Sequence, residues 1–170
     1  MDKRYQPAVD MLQKKFNVEA ELFRNEVTLI IPPEQIVEAA KILRDAYLFR
    51  MLVDLTAVDY WPQENPRFHM VYQLANLENN TIICLRVPLD GHAPHMPTLE
   101  GVFPNANWFE REVWDLFGIR FDNHSDLRRI VMPSDWEGHP LRKDYPLGYE
   151  EVQFTFNYDE IDVKKPYAKE

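Results

Sequence analysis

The stretch FHMVYQL at residues 68–74 alternates large apolar side chains with polar or smaller ones. Phe68, Met70, Tyr72 and Leu74 fall on one side of an extended chain, because successive side chains of a strand point to opposite faces. The alternation predicts a strand in a sheet that has one face covered.

Four further segments have the apolar, β-branched composition of strands, namely 18–23, 27–31, 51–58 and 81–87. The polar residues 24–26 between the first two predict a hairpin. Turn-rich stretches separate the later segments from one another. The sequence therefore predicts five strands.

Two helices are predicted from apolar residues at helical spacing. The first includes Leu12 and Phe16, and the second follows two prolines and carries Ile36 and Leu43 on one face. With a third helix near residues 107–117, the order α-β-β-α-β-β-β-α predicts an α+β fold. It would be a two-layer domain over residues 1–120, with a mixed five-stranded sheet covered by helices.

Residues 88–104 are rich in Pro, Gly and His, and we expect a long surface connection there. Beyond Gly118, prolines and glycines recur at short intervals, and only 129–132 and 152–156 look strand-like. Residues 121–170 are therefore expected to form an extended, largely irregular arm. Because this stretch is rich in aromatic residues, it should lie against a partner protein.

The third helix should have Asn107 or Ala106 as its cap and end at Gly118. Glu110 lies at the edge of its apolar stripe and needs a cationic or hydrogen-bonding partner, for which the candidates are Arg128, Arg129, Arg142 and Lys143. The apolar stripe comprises Phe109, Val113, Leu116 and Phe117, and the opposite arc comprises Arg111, Glu112 and Asp115.

Composition excludes several function classes. The net charge of -9 and the pI near 5.0 disfavour binding to nucleic acid or to an anionic membrane. Cys84 is the only cysteine, so thiolate-held clusters and disulfides are not expected. We find no nucleotide-binding glycine motif, signal peptide or apolar run of membrane-spanning length, which predicts a soluble, cytoplasmic chain.

Two chemical interpretations compete with partner binding. Glu110, Glu112, Asp115 and His124 could form an acid-base site, and His92 with His95 could bind zinc. The carboxylates at 112 and 115 are more typical of a solvated or ion-paired helix face, and no regular ligand spacing accompanies the histidines. We therefore expect neither catalytic nor metal-binding residues in this chain.

Two dense motifs lie between residues 110 and 146. The first comprises Glu110, Arg111, Glu112, Asp115, Leu116, Phe117, Gly118 and Ile119, followed by His124, Arg128, Arg129 and Ile130; the second comprises Trp136, Gly138, Pro140, Leu141, Arg142, Lys143, Asp144, Tyr145 and Pro146. Together they resemble the signature of the C subunit of respiratory complex I, also called the thirty-kilodalton subunit family. Residues 52–59 add weaker support. Ser125 departs from the family, which usually has Pro after the His, and this should loosen the local turn.

The resemblance implies a structural subunit of the peripheral arm of the proton-translocating NADH-quinone oxidoreductase. Such a protein carries no redox cofactor, because FMN and the iron-sulfur clusters belong to partner subunits. It would pack on the D subunit, which helps form the quinone cavity, and near the B subunit, which holds the terminal iron-sulfur cluster. It would be peripheral on the cytoplasmic side of the cell membrane, associate with the membrane only through the complex, and have no activity in isolation.

The resemblance also implies a set of partner-interface residues: Glu110, Arg111, Glu112, Asp115, His124, Arg128, Arg129, Trp136, Arg142, Lys143, Asp144 and Tyr145. Two alternatives to the complex I assignment remain. One is the homologous component of a related membrane-bound hydrogenase, or of a ferredoxin- or coenzyme-linked dehydrogenase. The other is a stand-alone acid-base hydrolase.

Overall fold

The computed structural model describes residues 4–24 and 26–146. Within these described residues, three α-helices and seven strands follow one another: α1 Gln6–Phe16, β1 Glu19–Phe23, β2 Glu26–Ile30, α2 Ile36–Ala46, β3 Met51–Asp59, β4 Phe68–Asn76, β5 Thr81–Leu89, β6 His95–Pro97, α3 Ala106–Phe117 and β7 Arg120–Asp122. A 3-10 turn at Pro33–Gln35 precedes α2.

The main sheet has five strands in the order β1-β2-β5-β4-β3. Antiparallel pairs join β1 to β2, β4 to β5 and β3 to β4, whereas β2 and β5 are parallel. Because the parallel pair needs a crossover, the chain between β2 and β5 includes α2 and the strands β3 and β4. The predicted α+β fold with a mixed five-stranded sheet is confirmed.

The core lies between one face of this sheet and the helices. Phe68, Met70, Tyr72 and Leu74 are buried there, as the alternation at residues 68–74 predicted, and helix residues such as Leu12 and Leu43 belong to the same cluster. The other face keeps half-buried and exposed side chains, among them Ile82. Burial of so many apolar side chains is the dominant favourable term in the folding of this part of the chain.

The segment 88–104 differs from the expected surface connection. Strand β5 continues to Leu89, β6 pairs with β7 in a small parallel sheet, and Leu99, Val102 and Phe103 enter the core. The prediction was wrong because it rested on the prolines and glycines of this segment and overlooked its apolar residues, which pack into the core.

The predicted strand at 129–132 is not present, since that stretch forms bends. Residues 123–146 otherwise contain turns and bends, in agreement with the expected irregular structure. The candidate strand at 152–156 lies outside the described residues, as does the rest of the chain after residue 146. Among the helices of the described residues, none has the length and apolar character needed to cross a membrane.

Candidate functional site

Helix α3 supports the signature residues, and specific contacts fix both of its ends. At the N-terminus, the Asn105 side chain donates a hydrogen bond to the Leu52 carbonyl oxygen at 2.8 Å, which ties the helix to β3. At the C-terminus, Gly118 is left-handed with φ +74°, and its N–H donates to the Trp114 carbonyl oxygen. A Cβ at Gly118 would lie 2.6 Å from the His139 ring, so both conformation and space require glycine.

Asp115 is fully buried and binds a loop of the backbone. Its Oδ2 accepts hydrogen bonds from the N–H groups of Ile130, Val131 and Met132 at 2.8–3.0 Å. Burial raises the pKa of Asp115, but these three donors and the Arg129 guanidinium outweigh it, and the pKa lies below its ordinary value. Of the two states expected for this carboxylate, solvated or ion-paired, the structure shows the ion-paired one, because the segment after β7 folds back over that side of α3.

Arg129 and His139 complete the contacts around the end of α3. Arg129 Nη1 donates to Asp115 Oδ1 at 2.5 Å, and Nη2 donates to the Gly138 carbonyl oxygen at 3.0 Å. His139 Nδ1 lies 2.9 Å from the Asp115 carbonyl oxygen. Since charge-assisted hydrogen bonds are stronger than neutral ones, this group fixes the position of residues 129–139 on the helix.

Arg111 is buried on the same side of α3, opposite the apolar stripe. Its guanidinium donates to the carbonyl oxygens of Arg128 and Arg129 at 3.2 and 3.4 Å. The same group lies over the Trp108 ring, 5.1 Å from its centroid. Glu112, by contrast, is exposed as predicted.

Glu110 is fully buried on the other side of α3, and its partners are neutral. Thr98 Oγ1 donates to Oε2 at 2.5 Å, and the Leu99 N–H donates to Oε1 at 2.7 Å. Burial raises the pKa of Glu110 to about 7, although these two hydrogen bonds act in the opposite direction. The prediction that one of four cationic residues pairs with Glu110 was wrong, because Thr98 and Leu99 in the loop before α3 supply the hydrogen bonds to its carboxylate.

His124 has a buried ring near Glu110. Its Nε2 lies 3.2 Å from the Asn107 carbonyl oxygen and 4.0 Å from Glu110 Oε2. Its Nδ1 accepts a hydrogen bond from the Asp126 N–H at 3.0 Å, which places the proton of the neutral ring on Nε2. The ring therefore holds the turn that follows β7 against the start of α3.

Ser125 is bonded to Glu100 across this turn. Its N–H donates to Glu100 Oε2 at 3.0 Å and its hydroxyl donates to Glu100 Oε1 at 2.6 Å. A proline would supply neither donor. These two hydrogen bonds argue against a looser turn at Ser125, since Glu100 offers an acceptor that only a residue with an N–H can use fully.

The second motif binds a buried ion pair that sequence reasoning missed. Arg67 donates to both carboxylate oxygens of Asp59, at 2.9 and 2.8 Å, and also to Asp144 at 2.8 Å. Asp59 Oδ2 further accepts the Lys143 N–H at 2.8 Å. The pairing could have been found in the sequence, because Asp59 directly follows one predicted strand and Arg67 immediately precedes the next.

The second cluster consists of Asp59, Arg67, Arg142 and Asp144, and its opposite charges stabilise one another. Burial raises the pKa of Asp59, but Arg67 and the N–H groups of Lys143 and Trp61 lower it below its ordinary value. The pKa of Asp144 is lowered mainly by its hydrogen bond to Arg67, and further by its hydrogen bond to Arg142. Arg67 also lies over the rings of Trp61 and Phe68, at 4.7 and 4.8 Å. The cluster ties residues 142–144 to the ends of β3 and β4.

The twelve predicted interface residues differ in how far they are exposed. Those that are buried or half-buried are Glu110, Arg111, Asp115, His124, Arg129, Trp136, Arg142 and Tyr145; those that are exposed are Glu112, Arg128, Lys143 and Asp144.

A family model provides the first comparison with known proteins. The model described as "Respiratory-chain NADH dehydrogenase, 30 Kd subunit" matches residues 29–151, which include the end of β2, the strands β3 to β7, α3 and both motifs. The chain belongs to this family. The resemblance to the complex I C subunit drawn from residues 110–146 is confirmed.

Relatives in this family are similar over most of the chain. The C subunit of NADH-quinone oxidoreductase from Roseiflexus sp. (strain RS-1) is 52% identical over 150 residues, which cover 87% of this chain and 86% of the relative. The protein of the same name from Geobacter sulfurreducens is 42% identical over 143 residues, covering 82% and 88%.

Solved structures agree with the fold of this family. A trypsin-resistant fragment (1–134) of Nqo5 has a TM-score of 0.65 at 30% identity and covers 73% of this chain and 99% of the fragment. A chain of the membrane-bound sulfane sulfur reductase, an archaeal respiratory membrane complex, has a TM-score of 0.73 at 24% identity, covering 96% and 93%. The second likeness concerns the fold alone.

The geometry of this family member does not support the acid-base site. Glu110 is closed off from solvent with both oxygens accepting hydrogen bonds, Glu112 is exposed, and Asp115 is occupied by three backbone donors. A general base must reach a substrate proton, which neither buried carboxylate can do here. Among residues 4–24 and 26–146, no group of three or more His, Cys, Asp or Glu side chains could hold a metal ion.

Proposed function

We propose that this chain is the C subunit of a proton-translocating NADH-quinone oxidoreductase. In that enzyme the whole complex passes electrons from NADH through FMN and iron-sulfur clusters to quinone. The observation that carries the proposal is the 52% identity, over 87% of the chain, to a relative that bears this name. The family match over residues 29–151 supports it independently.

In this proposal the chain itself holds no redox cofactor and contributes by position. It packs on the D subunit, which helps form the quinone cavity, near the B subunit, and reaches the cytoplasmic side of the membrane only through the complex. The single cysteine supports this division, since iron-sulfur clusters are normally held by several thiolates. The internal use of Asp115 and Asp144 supports a scaffolding role for the motifs. Electron transfer belongs to cofactors whose geometry the chain helps to fix.

We further propose that residues 121–170 act as a unit that contacts the neighbouring subunits. Deleting residues 148–170 should leave the preceding domain folded, because the core and both buried clusters lie before residue 147. The deletion should reduce incorporation into the complex, measured as recovery of the other subunits with the tagged chain. Normal recovery would refute this role.

Purification of a tagged copy from native membranes tests the whole proposal. Recovery of NADH-oxidising flavoprotein subunits together with NADH-quinone oxidoreductase activity is the expected result. Recovery of hydrogenase subunits, or of a ferredoxin- or coenzyme-linked dehydrogenase, would replace the proposal with the related membrane-bound complex. Hydrolytic activity of the purified chain alone would refute both assignments.

A further inference from the structure

Glu110 and His124 share a closed compartment between α3, the loop before it and the turn after β7. Both side chains are fully buried, and Glu110 Oε2 lies 4.0 Å from His124 Nε2. Because Nδ1 of the ring accepts the Asp126 N–H, the proton of the neutral ring is on Nε2. This ring N–H donates to the Asn107 carbonyl oxygen, 3.2 Å away. The ring proton therefore lies between two acceptors, one bonded and the other just out of reach.

The carboxylate is the fixed member of this pair, and the ring is the member that can move. Thr98 and Leu99 hold the two oxygens of Glu110 at 2.5 and 2.7 Å, whereas His124 lies on a turn. A shift of about 1 Å would bring the ring nitrogen within hydrogen-bond distance of Oε2. The Asn107 carbonyl oxygen keeps a partner when the ring leaves, because a helical carbonyl also accepts the N–H four residues on.

Ionisation of Glu110 supplies a driving force for this shift. Burial raises the pKa of Glu110 to about 7, so its charge changes near neutral pH. A third donor to the buried carboxylate stabilises the charged form against the cost of burial. A hydrogen bond from the ring to a carboxylate is also stronger than one to a neutral carbonyl oxygen.

The other ionisable groups around the pair keep one charge state near neutral pH. Within residues 4–24 and 26–146, these groups are Tyr72 from β4, Glu100 from the loop before α3, and Asp126 with Arg128 from the turn after β7. Burial raises the pKa of Tyr72 well above its ordinary value, so the phenol stays neutral. Hydrogen bonds from Ser125 lower the pKa of Glu100, so this carboxylate stays charged. Asp126 and Arg128 pair with each other at the surface.

We propose that Glu110 and His124 form a proton-controlled switch of the turn after β7. While Glu110 holds its proton, the ring bonds the Asn107 carbonyl oxygen and accepts the Asp126 N–H. When Glu110 releases its proton to water, the ring N–H moves to the carboxylate, and the Asp126 N–H loses its acceptor.

The switch acts on the chain from residue 126 onward. Ser125 stays bound to Glu100 in both states, because its two hydrogen bonds do not involve the ring. Beyond the turn, the chain leads directly into residues 128–132, which Arg111 and Asp115 hold against α3. The proton on Glu110 is thereby linked to the start of this covering segment. The inference concerns contacts within the chain and holds for whichever membrane-bound complex contains it.

Solution NMR of the full chain between pH 6 and pH 8 tests the switch. Exchange of the Asp126 amide hydrogen, corrected for the intrinsic effect of pH, should become about tenfold faster as its hydrogen bond is lost. The change should follow the ionisation of Glu110, observed through the carbon shift of its carboxyl group. Glu110→Gln should abolish it. Glu112→Gln is the matched control and should leave it intact, because Glu112 is an exposed carboxylate on the same helix.

Three results would overturn the proposal. One is an Asp126 exchange rate that does not respond as Glu110 ionises in the wild-type chain. Another is a response that persists in Glu110→Gln. The third is a His124 ring that carries protons on both nitrogens in either state, since the switch requires a neutral ring throughout.

His124→Asn tests the same switch if Glu110→Gln does not fold. An Asn side-chain oxygen readily accepts the N–H two residues on, so the Asp126 amide should stay protected in this variant. Asn has no ring nitrogen to carry a proton from Asn107 to Glu110, and exchange at pH 6 and pH 8 should therefore agree within about twofold. A pH response of wild-type size in His124→Asn would contradict the role of the ring.

Discussion

The sheet domain and the segment at residues 122–146 are held together in different ways. The domain is held by apolar burial between the sheet and its helices, whereas residues 122–146 contribute no large apolar side chain to the buried core. That segment is held instead by Asp115, Asp59 and Asp144, which bind backbone N–H groups and arginines. Apolar burial is spread over many residues, but carboxylate bonding concentrates the stability of a segment in a few groups.

The largest effect should come from removing the cation at the centre of the second cluster. Arg67→Met leaves the buried Asp59 carboxylate without its counter-ion, and the free energy of unfolding should fall by about 4 kcal/mol. Urea denaturation measures this change. The matched control is Lys15→Met, which breaks the exposed Lys15–Glu38 pair and should cost less than about 0.5 kcal/mol.

A double variant sharpens this test. Adding Asp59→Asn to Arg67→Met removes the uncompensated charge and should recover part of the lost stability, as expected for partners in one network. If Arg67→Met cost no more than Lys15→Met, the cluster would not hold residues 142–144, and the contrast between the two regions would fail there.

The next effect should come from Asp115→Asn. The amide oxygen can still accept from the three backbone donors, but an NH2 group then replaces Oδ1 beside the Arg129 guanidinium and the negative charge is lost. The free energy of unfolding should therefore fall by about 3 kcal/mol. Hydrogen exchange at the amides of residues 130–132 should accelerate more than exchange in β4. Asp126→Asn is the control, because its carboxylate pairs with Arg128 at the surface. Equal exchange in the two variants would contradict the role of Asp115.

The stability of the sheet domain should depend on pH through Glu110, in the opposite sense to the aspartates that hold residues 122–146. Because its folded pKa is raised to about 7, its contribution to stability is fully present below its unfolded pKa and is lost as the pH rises through about 7. The free energy of unfolding of the wild-type chain should therefore decrease by roughly 2 kcal/mol between pH 5 and pH 8.

Glu110→Gln should remove this component, and the variant should be the more stable of the two at pH 8. Chemical denaturation across the pH series measures both chains. The aspartates behave in the opposite sense, since their lowered pKa values give stability that is present above their unfolded pKa and lost in acid. A wild-type profile that stayed flat from pH 5 to pH 8 would show that Glu110 does not titrate as the structure implies.

The smallest effect should come from Ser125→Pro, which introduces the usual residue of the family. The change removes two hydrogen bonds to Glu100, and the free energy of unfolding should fall by about 1 kcal/mol, because the site is exposed and proline also restricts the unfolded chain. Thermal unfolding measures the shift. Ser125→Ala keeps the N–H and should cost about half as much. A more stable Ser125→Pro variant would restore the original expectation of a loosened turn.

The sheet could be predicted from sequence because each strand carried its own local signal. The alternation at residues 68–74 and the helical spacing around Leu43 correspond to burial in the structure. Gly118 could be predicted to end α3 for the same reason, since its conformation is a local property. The burial of apolar residues in segment 88–104 was missed because they follow neither the helical period nor the alternation of a strand.

The contacts of the motifs could be predicted only in part. Helical periodicity places Arg111 and Asp115 on one arc, but it does not indicate that a later segment covers that arc. The partner of Glu110 was also missed, because Thr98 and Leu99 lie in an irregular loop. Long-range polar contacts depend on how loops pack, which no local pattern of residue types encodes.

The two attachment points at Asp115 and at Asp59 also limit how this stretch of chain can change in length. Residues 130–132 are tied at the first point and residue 143 at the second, while Pro133, Ser134 and Asp135 between them are exposed. An insertion at 133–135 would project into solvent and leave both attachments in register. The same insertion between residues 143 and 144 would separate the Lys143 N–H from the Asp144 carboxylate. Either the hydrogen bond from Lys143 to Asp59 or the bond from Arg67 to Asp144 would then be lost.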